Sequence, residues 1–281
     1  MPNFAGKIAV VTGGASGIGL AIAERAGTDG MTVVLVDVDG AKLENARVEL
    51  ESKGVAVHAR TADVSDREAM VRLAKGIHDE IGETWLLVNN AGVFLSAPLL
   101  EMPPEQAEFM IGVNLWGVIN GLHAFVPAMV KRDSGYVVNT SSVDGLVTAP
   151  NAAIYNATKH AVTALTETLY RELEVAQSAV GVSVLCPGAI ATNILESVRH
   201  WPARLGAPPA PRERTSPSIT QLMAPSEVAD IVFAAIAEGR FWILTHPEQA
   251  APAMRSRTEG AINATNPDDT TVDPNHRRQA Q

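Results

Sequence analysis

Seven short runs of apolar, largely β-branched residues recur along this chain, with longer segments of helical spacing between them. The runs are Lys7–Thr12, Thr32–Val36, Val55–Arg60, Trp85–Val88, Tyr136–Asn139, Val182–Leu185 and Phe241–Leu244. Nearly continuous apolar strands are buried on both faces, which requires a parallel sheet covered by helices above and below. Helices are expected over Gly17–Thr28, Ala41–Ser52, Asp66–Ile81, Pro104–Lys131, Ile154–Ser178 and Ser226–Glu238, the last with Ser226 as its N-cap. The fold class is therefore α/β, a doubly wound, Rossmann-like, seven-stranded parallel sheet with helices on both faces. Right-handed crossovers bring the loops that leave the strands to the carboxyl edge of the sheet, where such folds bind ligands.

One domain is expected over residues 1–246. Within it, Asn193–Pro225 holds six prolines, and a loop of that length in a compact domain usually serves a binding site. Residues 247–281 read as an extension, a short helix near Pro247–Arg257 followed by a polar, partly disordered tail. The formal net charge of −9 argues against nucleic acid as a partner, because phosphate backbones need clustered Lys and Arg. The single cysteine, Cys186, excludes an intrachain disulfide and fits a reducing compartment. No apolar run resembles a signal peptide or approaches bilayer-spanning length, so a cytoplasmic protein with no membrane partner is expected.

The first strand runs into Thr12-Gly-Gly-Ala-Ser-Gly-Ile-Gly19, and a helix follows at once. Glycines in that context let a backbone turn tightly and approach a pyrophosphate, while the helix N-terminus offers free N–H groups and a positive dipole. Gly13, Ser16, Gly17, Ile18 and Gly19 are thus candidate cofactor contacts. Asp37 ends the second strand about 20 residues further on, where a dinucleotide fold places the carboxylate that binds the adenosine ribose. A carboxylate repels a 2′-phosphate, and its neighbours Val38 and Ser16 are not basic, so NAD is expected rather than NADP.

The chain resembles the short-chain dehydrogenase/reductase family, in its compact single-domain branch. The resemblance covers roughly Phe4 to Thr245 and rests on motifs in the family's order. These are the glycine loop, Asp63-Val64, Asn89-Asn-Ala-Gly92, Asn114, Ser142, Tyr155-x-x-x-Lys159 and Pro187-Gly188. It implies that Asp63 and Val64 flank the adenine and that Asn90, Ala91 and Gly92 line the cofactor groove. It further implies that Pro187, Gly188, Ile190 and Thr192 hold the nicotinamide end. Tyr155 would be the acid/base, Ser142 the group on the substrate oxygen and Lys159 the partner of the nicotinamide ribose. Asn114 would link Lys159 to solvent through water. Tyr155 and Lys159 lie four apart and share a helix face. An adjacent ammonium favours the phenolate and lowers the tyrosine pKa from its usual ~10. Two residues depart from the family pattern. Trp85 stands where an acid is common, with only packing to explain it. Asp144 stands two residues after Ser142, where small or apolar residues are usual, and either faces the substrate or is a solvated turn residue.

Ile194, Leu195, Val198, Trp201, Leu205, Leu222 and Met223 would cover the substrate, with Val93, Phe94, Leu95, Val143 and Leu146 as further wall. Such a pocket suits a bulky hydrophobic alicyclic, aromatic or terpenoid alcohol or ketone. Arg199, Arg204, Arg212 and Arg214 lie in the same segment and read as a solvated loop face, with binding of a substrate carboxylate as the alternative. The reaction expected is NAD-dependent interconversion of a secondary alcohol and its ketone, in a homotetramer or dimer built through the two long helices. The alternatives are an NADP-preferring ketoreductase and a non-enzymatic NAD-binding regulator.

Overall fold

Pleating sends alternate strand residues to opposite faces, and this sheet uses both faces for core. The structure, a computed structural model, describes residues 4–209 and 222–267. Its strands are β1 (Ile8–Thr12), β2 (Thr32–Asp37), β3 (Val57–Thr61), β4 (Thr84–Asn89), β5 (Tyr136–Thr140), β6 (Gly181–Cys186) and β7 (Trp242–Leu244). They form one sheet in the order β3-β2-β1-β4-β5-β6-β7. Every adjacent pair is parallel, as the apolar runs required.

The helices are α1 (Gly17–Thr28), α2 (Gly40–Ser52), α3 (Arg67–Glu80), α4 (Pro104–Ile111), α5 (Gly117–Arg132), α6 (Ala153–Val175), α7 (Pro225–Glu238) and α8 (Pro247–Ile262). On one face Val11, Val33, Leu35 and Val138 pack under Ile22 and Ala26 of α1 and Val232, Phe233 and Ile236 of α7. On the other, Val10, Val34, Leu87 and Val137 pack under Met70 and Ile77 of α3, Phe125 and Met129 of α5, and Leu173 of α6. Trp85, inside β4, packs edge-on against Phe4 with the Lys7 ammonium 3.7 Å from its ring centre, which accounts for the departure there as packing.

Three expectations change. The helix foreseen over Pro104–Lys131 is interrupted by a π-helical turn at Gly112–Trp116, which widens the spiral by one residue. The whole Pro104–Arg132 stretch is long and apolar enough in composition to cross a bilayer, but half of its most apolar window is buried inside the protein. Ser226 is not an N-cap: α7 begins at Pro225, whose fixed φ suits the first helical position, and Ala224 occupies the cap. The last helix runs five residues past Arg257, to Ile262. The tail beyond 267, together with Arg212 and Arg214, lies outside the described residues.

Candidate active site

The strand order reverses between β1 and β4, and loops leaving these neighbours in opposite directions open a crevice at the carboxyl edge. A cavity of about 440 Å³ runs along it. Gly13, Ser16, Gly17, Ile18, Asp37, Val38, Asp63, Val64, Asn90, Ala91, Gly92, Pro187, Gly188, Ile190 and Thr192 all line it, as do Ser142, Tyr155 and Lys159. Of the cofactor and catalytic residues expected from the sequence, only Gly19 and Asn114 stand behind the wall.

Gly19 is held there by space. A Cβ on it would collide with the Gly13 carbonyl and come within 2.6 Å of the Asn90 amide. Ser16 caps α1 in extended conformation, but its side chain makes no capping bond, so the N–H groups of the first turn keep their free direction toward the groove. This is a donor set for a pyrophosphate. The Asp37 carboxylate is fixed from two sides, accepting from the Ala15 N–H at 3.2 Å and the Asp39 N–H at 3.1 Å. Capping of α2 falls to Asp39, which accepts from the Lys42 N–H, so Asp37 keeps lone pairs for a ribose. Asp63 accepts from the N–H and hydroxyl of Ser65. The groove thus fits a dinucleotide on the protein's own geometry.

Asn90 ties the floor together. Its N–H donates to the Thr12 hydroxyl at 2.9 Å, its amide to the Thr12 carbonyl at 3.1 Å, and its side-chain oxygen accepts from Thr140 at 3.4 Å. The ends of β1, β4 and β5 are joined through this one side chain.

At the far end, Tyr155 and Lys159 rise from the first turns of α6 and are both buried. The Ser142 hydroxyl lies on the cavity wall with the Tyr155 phenol and favours its ionised form, while itself accepting from the Asp144 N–H at 3.1 Å. Ser141 is turned away from the phenol and into α6, where its hydroxyl donates to the Lys159 carbonyl at 2.9 Å and meets Thr163 at 2.8 Å. The Phe94 ring stands edge-on to the phenol with centroids 5.0 Å apart. The Lys159 ammonium donates to the Thr140 carbonyl at 2.9 Å and lies 5.6 Å from the phenol ring centre.

The electrostatics correct one expectation. In the protein itself the Tyr155 phenol is pushed up, not down: burial dominates, the Asp144 carboxylate adds to it, and the Ser142 hydroxyl opposes it. Burial also pulls the Lys159 ammonium down to about 8. A cation that is itself desolvated and turned to a carbonyl does not offset the phenol's loss of water. Cys186 is fully buried and its thiol is pushed up to about 12, as befits a core residue rather than a nucleophile.

Asn114 sits in the π-helical turn, not in a regular helix, and its side chain is fully engaged. It accepts from the Val93 N–H at 2.8 Å and donates to the Val93 carbonyl at 2.9 Å.

The described part of the covering segment holds two 3₁₀ turns, Ile194–His200 and Ala203–Leu205. Ser197 fastens it by accepting from the Phe94 N–H at 3.0 Å. Ile194, Leu195 and Leu222 line the cavity with Val93, Phe94, Phe109 and Val113. Val198, Trp201 and Leu205 pack behind this wall, Trp201 edge-on to Phe109. Leu95, Val143, Leu146 and Met223 also fall outside the lining: Leu146 joins Val184 and Cys186, and Met223 pairs with Ile190 as an isolated bridge. Arg199 and Arg204 line the cavity rather than a purely solvated face, and they pair with Glu196 and Glu108. Sequence reasoning missed Phe109, Val113 and His200. His200 lies in the electrostatic field of Asp37 and Asp39, and nothing in its local sequence signals that.

Comparison with known proteins gives a consistent result. Residues 7–203 match the family described as short chain dehydrogenase. A short-chain dehydrogenase/reductase from Burkholderia phymatum, solved in complex with NAD, is 38% identical with a TM-score of 0.88, over 96% of this chain and 99% of that one. A 1-deoxy-11-beta-hydroxypentalenate dehydrogenase of Streptomyces exfoliatus is 36% identical over 86% of this chain and 84% of its own length. An alcohol dehydrogenase from Thermococcus sibiricus, solved with 5-hydroxy-NADP, is 28% identical with a TM-score of 0.70, over 85% of this chain and 95% of that one.

Proposed function

The chain belongs to the short-chain dehydrogenase/reductase family of nicotinamide-dependent oxidoreductases, and from that premise we propose that it interconverts a bulky hydrophobic secondary alcohol and its ketone with NAD. The observation that carries the reading is the gathering of Ser142, Tyr155 and Lys159 at the apolar end of a groove whose other end fits a dinucleotide.

A nicotinamide held along Pro187, Gly188, Ile190 and Thr192 would supply the hydride acceptor or donor. Everything else is the work of side chains. In oxidation the Tyr155 phenolate takes the carbinol proton, and in reduction the phenol returns it to the carbonyl oxygen. Ser142 donates to that same oxygen as its charge develops. Lys159, under Gly92 at the groove floor, holds the ribose and passes the proton outward. Asn114 is a positioning residue: by clamping the Val93 peptide it fixes the groove wall beside Phe94. Phe94, Phe109, Val113, Ile194 and Leu195 exclude water and favour an apolar substrate body. The related dehydrogenase whose name carries a hydroxypentalenate substrate is in line with that choice. The decisive assay follows NADH absorbance across bulky alcohols and ketones with both nucleotides. Turnover confined to sugars or small polyols would sink the substrate reading.

NAD preference rests on Asp37. A hydrogen bond to a charged group contributes about 1.5–3 kcal/mol, roughly ten- to a hundredfold. The Asp37→Ser variant is expected to lose about that much kcat/KM with NAD while gaining with NADP. A wild-type enzyme that prefers NADP would refute the assignment. Assembly is proposed through the outer faces of α4–α5 and α6, where Trp116, Val130 and Val175 are exposed in the single chain. Light scattering should return four chain masses, or two, and a monomer would exclude both.

A further inference from the structure

Asp144 stands in the cavity beside Tyr155, Ser142 and Lys159, and the reaction scheme gives its carboxylate no step. Asp144 lines the same space as Tyr155, Ser142 and Phe94. Among the described residues no hydrogen bond or ion pair engages its carboxylate; its only hydrogen bond is through its backbone N–H, which donates to the Ser142 hydroxyl at 3.1 Å.

The turn that carries it is fixed. Val143–Gly145 is a single 3₁₀ turn capped by Ser142. The Val143 N–H donates to the Pro187 carbonyl at 2.9 Å, and the Gly145 N–H to the Ser142 carbonyl at 2.9 Å. Gly145 lies so close to α6 that a Cβ there would stand 2.8 Å from the Lys159 carbonyl. Ser142 and Asp144 are therefore held as a unit, one hydroxyl and one carboxylate presented from the same turn.

A carboxylate in an apolar cavity costs free energy unless something donates to it. Burial accordingly pushes the Asp144 carboxyl up, with His160 and Lys159 pulling the other way. Neither His160 nor Lys159 turns a donor to it among the described residues: His160 Nδ1 meets the Asn156 carbonyl at 2.9 Å, and the Lys159 ammonium donates to the Thr140 carbonyl at 2.9 Å. Asp144 is only partly buried, so water can donate to it in the free protein, and a substrate that displaces that water can replace it with a donor of its own.

We propose that Asp144 is a specificity residue that accepts a hydrogen bond from a second donor, a hydroxyl or amino group, on the carbon next to the carbinol. This rests on the dehydrogenase reading above and narrows it: the substrate is a bulky apolar alcohol with a polar donor beside its reactive centre. Two donors on neighbouring atoms would then meet two acceptors, Tyr155 and an Asp144 carried on a fixed turn, and this would set which face of the carbinol carbon is turned to the nicotinamide.

The test compares matched pairs, each a secondary alcohol and the diol or amino alcohol that adds one vicinal donor. 1-Phenylethanol with 1-phenylethane-1,2-diol and cyclohexanol with cyclohexane-1,2-diol are two such pairs. The readout is the ratio of kcat/KM within each enzyme, so a general loss of activity cancels. The wild type should favour the donor-bearing partner by tenfold or more. Asp144→Asn should reduce that ratio, and Asp144→Leu should bring it to about one or invert it. A wild type that treats the partners alike overturns the proposal without any variant, as does a Leu variant that keeps the preference. A change equal on both partners, with a shifted pH profile, would assign Asp144 to tuning Tyr155 and overturns it too. If the wild type turned over neither member of any pair or its ketone with either nucleotide, the dehydrogenase reading itself would fall.

Discussion

Replacing Tyr155 by Phe should lower kcat about 10²- to 10⁴-fold, a barrier increase of roughly 3–5.5 kcal/mol, while nucleotide binding and fold persist. The ring stays in place against Phe94, so packing is kept. The Ser142 hydroxyl keeps the hydrogen bond it accepts from the Asp144 N–H. Fluorescence titration with NADH separates the outcomes: unchanged binding with lost turnover is the signature of a missing acid/base, whereas joint loss would mean a structural role. The pH dependence follows from the direction of the shift. Oxidation needs the phenolate, and burial raises the phenol's pKa, so the oxidative rate should climb from neutral toward alkaline pH. Reduction needs the phenol, so it should hold through neutral pH and decline only at the alkaline end. The Phe variant should show neither limb. Undiminished turnover in that variant would end the proposed scheme.

Ser142→Ala should cost about 10²- to 10³-fold in kcat, the usual loss when one donor at a developing oxyanion is removed. It also removes the hydroxyl that opposes the upward shift of Tyr155, so the alkaline rise in oxidation should move to higher pH. Ser141→Ala offers the contrast. Its hydroxyl binds the Lys159 carbonyl and Thr163 inside α6, so melting temperature, rather than the pH profile, is where its loss should appear. If the two variants exchanged phenotypes, the assignment of Ser142 would be wrong.

What could be read from the residues follows from how local each signal is. The strands are short apolar runs whose burial is set by composition, and all seven lie within two residues of their foreseen ends. The glycine loop, Asp37 and the Tyr155–Lys159 spacing are local patterns, and each falls on the groove. The π-helical turn was not legible, because it depends on Asn114 reaching across to Val93, a contact between distant segments. The upward shift of Tyr155 was also hidden, since spacing reveals a nearby cation but not how deeply both groups are buried. The covering segment was sorted only in part. Which apolar side chains face the cavity is decided by Phe109, which draws Trp201 away from it. Asp144 was visible as an oddity, and only its place in the cavity gives it a use.

No two neighbouring strands in this sheet are joined by a hairpin, and this governs how the chain must come together. The central pair matches Ile8 of β1 with Thr84 of β4, so the middle of the molecule closes across a loop that contains two other strands and three helices. Parallel pairing of this kind gains nothing until a long crossover is in place. Refolding should therefore be slow for a protein of this size, with the segment from β1 to β3 gathering first and exposing the flank of β1 until β4 arrives. During that interval the unpaired edge is the part most open to aggregation.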